Sequence, residues 1–112
     1  MRSIVCVDLD GVLNEFDGWK GADYFHPPRP GAREFLERLN EIGYQVVVFT
    51  VRWKPHVEQW LVKHGLSELV REVTDKKPPA HVYIDDRALC FQGDFQAALE
   101  QIPNFRAHWE KN

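Results

Sequence analysis

The sequence lacks the long apolar runs and the strong charge imbalance that identify several common classes of protein. No apolar run is long enough to cross a bilayer, so we expect no contact with a membrane. The formal net charge is only −3, which argues against the broad basic face of a nucleic-acid coat protein. Residues 1–7 are followed at once by acidic residues, unlike a signal peptide, so we expect a cytoplasmic protein.

Cysteine is scarce and histidine is scattered, which disfavours common metal and redox motifs. Cys6 and Cys90 stand in apolar surroundings without C-x-x-C spacing, so we expect both to be reduced thiols in the core. The five histidines show neither H-x-H nor H-E-x-x-H spacing, which disfavours a histidine-based metal site. The sequence also has no internal repeat and no flexible linker, and its 112 residues suit one domain, residues 1–112.

Short apolar segments alternate with amphipathic segments along the chain. The apolar segments predict strands, and the segments with apolar residues at helical spacing predict helices. Because alternating strands and helices need crossover connections, we predict an α/β, three-layer, Rossmann-like fold with a mostly parallel sheet. The predicted strands are residues 4–7, 44–50, 71–74 and 81–84, with a further short strand at 105–109, and the predicted helices are residues 30–42, 55–64 and 95–102.

Most of the side chains that can carry chemistry lie next to the ends of these strands. In a parallel α/β sheet the ligand site lies beyond the carboxyl ends of the strands. Carboxylates that converge there repel each other unless a cation binds, and an all-oxygen set of ligands is typical of magnesium. The residues concerned are Asp8 and Asp10 after the first strand, Thr50 and Arg52 after the second, Lys76 and Lys77 before the fourth, and Asp85, Asp86 and Arg87 after it.

Each of these residues also has a simpler structural interpretation. Asp8 and Asp10 could cap turns, as aspartate often does in loops. Thr50 could be no more than a β-branched strand residue. Arg52 and Arg87 could contact a substrate phosphate or could pair with acids, and the sequence does not separate these alternatives.

The ordered set of Asp-x-Asp-Gly-Val, threonine, lysine and an Asp-Asp pair resembles the haloacid dehalogenase (HAD) superfamily of phosphohydrolases. The likeness runs from Asp8 to Asp86 in the order of the superfamily's motifs. The segment 84–87, Ile-Asp-Asp-Arg, is also similar to the ending found in phage-type polynucleotide 3′-phosphatase domains. The resemblance implies a magnesium-dependent phosphomonoester hydrolase that works through an aspartyl-phosphate intermediate.

The resemblance implies a catalytic role for four residues. Asp8 is the expected nucleophile, and Asp10 is the expected general acid and base. Thr50 is expected to donate a hydrogen bond to the phosphoryl group, and Lys77 to neutralise charge on the nucleophile and the phosphate. Lys76 remains the alternative to Lys77, and either lysine could instead belong to a solvated surface pair.

The resemblance also implies a magnesium site at the same loops. The expected ligands are Asp8, the backbone carbonyl of Asp10 and the pair Asp85 and Asp86, of which we favour Asp86 as the direct ligand. Gly11 is expected where the chain turns too sharply for a side chain.

Larger members of the superfamily carry an inserted cap domain, but residues 15–29 and 53–75 are too short to bury a core of their own. We therefore predict a capless member whose open site suits a bulky phosphorylated substrate, such as a nucleotide or a nucleic-acid end, or an oligomer whose neighbour closes the site. The resemblance implies that residues 15–26 form a flap beside the site. Trp19 could stack there on a substrate ring, or it could pack on the rim of the domain.

Two other functions fit part of the pattern. Receiver domains of two-component systems also combine an acidic cluster with threonine and lysine, but their acidic pair ends the first strand, whereas here the pair comes last. The order therefore disfavours a signalling phosphoacceptor. A non-catalytic relative that only binds a nucleotide or a protein is the other alternative, although no motif residue is missing from the sequence.

Overall fold

Four short parallel strands form the centre of the fold in the computed structural model, which describes residues 3–110. Their order across the sheet is β3-β2-β1-β4, and every neighbouring pair is parallel. This arrangement confirms the predicted α/β fold with a parallel sheet. The elements are β1 (Ile4–Asp8), α1 (Ala32–Ile42), β2 (Gln45–Phe49), α2 (Lys54–Lys63), β3 (Glu72–Thr74), β4 (Val82–Ile84) and α3 (Phe95–Gln101), with 3-10 turns at Ser67–Leu69 and Ile102–Asn104.

The central strands are buried on both faces, as their nearly continuous apolar sequences predict. Val5 and Val7 of β1 lie beside Val46 and Val48 of β2 and contribute to one apolar core. The helices α1 and α2 cover this face of the sheet. Their contribution to the same core comes from Ala32, Leu36, Val57, Trp60 and Leu61.

The helix α1 begins two residues later than predicted and ends where predicted. Gly31 precedes it with a φ of 91°, a conformation that suits glycine and separates Pro30 from the helix. At the other end Gly43, with a φ of 111°, donates its N–H to the carbonyls of Leu39 and Asn40. This is the usual glycine-ended helix terminus.

The predicted strand at residues 105–109 is wrong. The chain turns there, since the N–H of Glu110 donates to the carbonyl of Ala107 at 3.0 Å. The alternation of Phe105, Ala107 and Trp109 with polar residues resembles a strand, but Ala107 is buried within this turn instead. We call residues 105–110 the C-terminal turn.

One of the two cysteine predictions is also wrong. Cys6 lies in β1 and is buried, as expected, but Cys90 is exposed. Cys90 belongs to the irregular segment between β4 and α3. No residue of the neighbouring helix α3 is buried either. Within residues 3–110, no helix has the length and apolar character needed to cross a bilayer.

Candidate functional site

The loop after β1 is a tight turn that places two aspartates at the edge of the sheet. It spans Leu9–Leu13 and closes when the N–H of Asn14 donates to the carbonyl of Leu9 at 3.2 Å. Gly11 has a φ of 87°, and a Cβ atom there would lie 2.1 Å from Oδ2 of Asp86. The position therefore requires glycine, both for its conformation and for the close approach of Asp86.

Asp8, Asp85 and Asp86 form an acidic cluster at this edge. Because Val7 of β1 pairs with Ile84 of the parallel β4, the residues that follow the two strands emerge side by side. Each member of the acidic cluster offers one oxygen, and these oxygens all lie within 4.8 Å of one another. The cluster gathers the residues that the sequence analysis assigned to a metal, apart from Asp10.

The surroundings of Asp8 favour its uncharged form in the absence of a cation. Burial, the hydrogen bond to Asp86 and the negative charges of Asp85 and Asp86 together raise the pKa of Asp8 to about 8. The N–H of Leu9 donates to Oδ1 of Asp8 at 2.8 Å and opposes this shift. The cluster supplies only hard oxygen donors and carries repulsion that a divalent cation would relieve, so its residues fit Mg²⁺.

The side chain of Asp10 lies in very different surroundings. Its Oδ2 accepts a hydrogen bond from Nε of Arg52 at 2.6 Å, and its Oδ1 accepts one from Nδ2 of Asn14 at 2.9 Å. The Arg52 side chain is only 4% exposed. Of the two roles that the sequence left open for Arg52, pairing with an acid is the one present in this structure.

Asn14 is a site residue that the sequence analysis missed. It is fully buried, and its Oδ1 accepts hydrogen bonds from the N–H groups of Gly11 and Phe16 at 3.1 and 3.2 Å. Together with its bond to Asp10, these contacts fix the turn and one carboxylate oxygen. The available signal was an asparagine at the end of the Asp-x-Asp-Gly-Val-Leu segment, where the apolar residues stop.

Lys77 faces the acidic cluster, whereas Lys76 does not. Lys77 lines the same cavity of about 240 Å³ as Asp8 and Asp85, and its Nζ lies 4.4 Å from the ring centroid of Tyr83. Lys76 is exposed and pairs with its neighbour Asp75 at 3.6 Å. The geometry therefore favours Lys77 over Lys76 as the lysine of the site.

Thr50 follows Phe49, the residue of β2 that pairs with Asp8. Its side chain is buried, and its Oγ1 accepts a hydrogen bond from the N–H of Arg52 at 3.2 Å. Because the oxygen serves as an acceptor in this bond, the hydroxyl hydrogen remains available for donation.

The C-terminal turn closes the site on the side of Asp86. Nε1 of Trp109 donates to Oδ2 of Asp86 at 2.5 Å, and Nε2 of His108 lies 2.6 Å from the carbonyl oxygen of Gly11. Arg87 forms an ion pair with Glu110 and lies 5.6 Å from the ring centroid of Trp109. Arg87 thus pairs with an acid. The sequence analysis missed Trp109, because it assigned residues 105–109 to a strand.

Trp19 lies on the rim next to Arg52, on the flap formed by residues 15–26. Its side chain is 64% exposed, and its ring centroid lies 4.9 Å from the guanidinium carbon of Arg52. The structure therefore places Trp19 beside Arg52, with part of its surface open to solvent.

Two solved structures are similar to this fold. A conserved protein from Bacteroides thetaiotaomicron shares 19% identity with a TM-score of 0.63, over 93% of this chain and 92% of that one. An uncharacterized protein from Listeria monocytogenes serotype 4b shares 16% identity with a TM-score of 0.54, over 63% of this chain and 45% of that one. This chain thus spans less than half of the Listeria protein, and likeness at these identities shows the fold alone.

No protein-family model matches the sequence, and no curated protein matches it.

Proposed function

We propose that the protein is a magnesium-dependent phosphomonoester hydrolase that forms an aspartyl-phosphate on Asp8, as its resemblance to the HAD superfamily implies. The observation that supports this most is that Asp8 shares one cavity with Lys77 and Asp85 at the carboxyl end of the parallel sheet. A carboxylate nucleophile, a cation for the phosphate and further carboxylate ligands are the groups that this reaction needs.

Magnesium would be held by Asp8, the backbone carbonyl of Asp10 and Asp86, with Asp85 as the alternative to Asp86. When bound, the ion supplies positive charge that offsets the carboxylates and the phosphate. The raised pKa of Asp8 supports the proposed need for magnesium, because Asp8 must lose its proton before it can attack phosphorus near neutral pH.

The proposed reaction has two steps, each carried by the two aspartates of one turn. In the first, an oxygen of Asp8 bonds to phosphorus, the ester P–O bond breaks, and the leaving oxygen takes a proton from Asp10. In the second, Asp10 takes a proton from water, the water oxygen bonds to phosphorus, and the bond from phosphorus to Asp8 breaks. The second step releases inorganic phosphate and restores both carboxyl groups.

Two further side chains would orient and neutralise the phosphoryl group. Lys77, which lines the cavity with Asp8, would offset its negative charge. Thr50 would donate the hydroxyl hydrogen that its bond from Arg52 leaves free.

An open edge of the sheet is compatible with a bulky substrate. We propose a bulky phosphorylated substrate, such as a nucleotide or a nucleic-acid end, and a cytoplasmic location. An oligomer whose neighbour covers the site is compatible with the same geometry.

Hydrolysis of p-nitrophenyl phosphate, first in chelator and then with added magnesium, tests the proposal. We expect no turnover in chelator and restored turnover with magnesium. The matched control is Asp75→Ala, which removes an exposed carboxylate outside the acidic cluster and should leave the rate unchanged. Full activity in chelator, or none under either condition with a panel of phosphorylated metabolites and oligonucleotides, would contradict the proposal.

A further inference from the structure

The guanidinium group of Arg52 is enclosed by the flap. The ring centroids of Trp19 and Phe25 lie 4.9 and 4.3 Å from its central carbon. Its Nη1 donates to the carbonyl of Ala22 at 3.3 Å. Three residues of the flap thus contact one cation, through two aromatic rings and one backbone carbonyl.

The same guanidinium group holds the carboxylate of Asp10. Its Nε donates to Oδ2 of Asp10 at 2.6 Å, and the Arg52 side chain is almost fully buried. Its Nη2 is buried and has no hydrogen-bond partner among the described residues. A buried donor without a partner is unfavourable, so the contacts to Asp10 and to the flap must hold the group in place.

The base of the flap is anchored without Arg52. The N–H of Glu15 donates to the carbonyl of Pro27 at 2.9 Å, and the N–H of Arg29 donates to that of Leu13 at 2.8 Å. Nε1 of Trp60 in α2 donates to the carbonyl of His26 at 3.1 Å. Loss of the Arg52 contacts should therefore release the tip of the flap while its two ends stay in place.

We infer that Arg52 is a positioning residue that couples closure of the flap to the orientation of Asp10, an inference that rests on the proposed function of Asp10 as acid and base. When the flap is closed, its aromatic rings fix the guanidinium plane, and that plane fixes one oxygen of Asp10. When the flap opens, Arg52 loses three of its contacts, so Oδ2 of Asp10 is no longer held in a fixed position, while Asn14 still holds Oδ1. The coupling is reciprocal, so a change at Asp10 also alters the flap.

Amide hydrogen exchange measured by mass spectrometry tests the coupling without any substrate. Arg52→Met should speed exchange in residues 17–25 and leave residues 32–42 of α1 unchanged. Asp10→Asn should speed exchange in residues 17–25 as well, because Arg52 loses its charged partner. The matched control is Arg33→Met, which removes an exposed arginine that pairs with Glu37 on α1 and should leave the flap unchanged.

Unchanged flap exchange in both Arg52→Met and Asp10→Asn would overturn the inference. If Arg52→Met does not fold, Asp10→Asn and the double variant Trp19→Ala/Phe25→Ala carry the same test from the two ends of the contact. Because this measurement needs no turnover, it stays informative if the wild-type protein proves to have no phosphatase activity.

Kinetics then separate positioning from substrate binding. In the double variant Trp19→Ala/Phe25→Ala, kcat/KM, which reports the first step alone, should fall for an alkyl phosphate and stay nearly constant for p-nitrophenyl phosphate, which needs little protonation of its leaving group. The loss should be smaller than the roughly 10²- to 10⁴-fold loss expected on removing a general acid. Arg52→Met should show the same selectivity, and Arg52→Lys should recover part of the rate.

Two kinetic results would overturn the inference. Equal losses for both leaving groups would mean that Arg52 does not act through Asp10. A rise in KM with an unchanged kcat would mean that Arg52 holds the substrate instead.

Discussion

Asp8 and Asp10 are two residues apart on one turn, yet their electrostatic surroundings are opposite. Asp8 lies among the acids Asp85 and Asp86, which help to raise its pKa to about 8. Asp10 is held by a buried arginine, Arg52, and by an amide. The turn sends one carboxylate toward β4 and the other toward β2 and the flap, so neighbouring residues acquire different chemistry.

This difference indicates what each side of the turn still needs. The carboxylate of Asp10 already has a cationic partner within the described part of the protein, namely Arg52. The acidic cluster has excess negative charge that a cation from outside would relieve. This contrast agrees with the proposed division between Asp8 as a nucleophile that needs a metal and Asp10 as an acid and base held by the protein.

The largest effect is expected from Asp8→Asn, which keeps the volume of the side chain and removes its nucleophilic charge. Turnover of p-nitrophenyl phosphate should be lost while the thermal midpoint stays at or above the wild-type value. Measurable turnover by the purified variant, above that of a buffer control, would remove Asp8 from the mechanism.

Removal of the metal should have the next largest effect. Chelator should abolish activity, and Asp86→Ala should raise the magnesium concentration needed to restore it, measured by titrating activity. Calcium should bind and yet support little turnover, because its looser and higher coordination disturbs the in-line geometry. If Asp85→Ala shifts the titration and Asp86→Ala does not, Asp85 is the direct ligand.

The change Asp10→Asn should have a smaller effect that depends on the leaving group. Magnesium should still bind, because Asp10 is expected to use its backbone carbonyl. The loss of the acid should lower kcat/KM, which reports the first step alone, by roughly two to four orders of magnitude for an alkyl phosphate and by less for p-nitrophenyl phosphate. A loss of the same size for both substrates would contradict the acid role.

The smallest effect concerns the stability of the metal-free protein. A carboxyl group whose pKa rises from 3.8 to about 8 on folding binds more protons in the folded state between these values. Stability is therefore greatest at the low end of this window and falls as pH rises toward 8. Unfolding in urea between pH 5 and 8 should show this fall in wild type, and Asp8→Asn should flatten it.

Magnesium should flatten the same profile, because the cation relieves the repulsion that raises the pKa of Asp8. The matched control for this experiment is Asp75→Asn, which should keep the wild-type dependence. A metal-free profile that is already flat would mean that Asp8 is not held near its acidic neighbours.

The sheet and the acidic cluster could be predicted because each depends on signals local to the sequence. Apolar runs define β1 and β2, and the alternation of strands with helices implies that Asp8 and Asp85 leave parallel strands at one edge. The role of Gly11 was likewise predictable, because a sharp turn after β1 leaves no room for a side chain. These inferences use periodicity and chain order, which the sequence displays directly.

The partners of these residues could not be predicted, because they come from distant segments. Arg52 meets Asp10 across 42 positions in the chain, and Trp109 meets Asp86 across 23. The C-terminal turn was mistaken for a strand because its alternating pattern fits both structures, and the hydrogen bond from the N–H of Glu110 to the carbonyl of Ala107 separates them. No local rule indicates which distant side chain fills a given space.

The most direct test of the account is to find where the phosphoryl group lies during turnover. Wild-type protein should be mixed with magnesium and p-nitrophenyl phosphate, quenched in acid within milliseconds, digested, and analysed by mass spectrometry. We predict one phosphoryl group on the peptide that contains Asp8, and none on any peptide of Asp8→Asn. Release of phosphate by the wild type without this adduct, or an adduct on another residue, would contradict the assignment of Asp8 as the nucleophile.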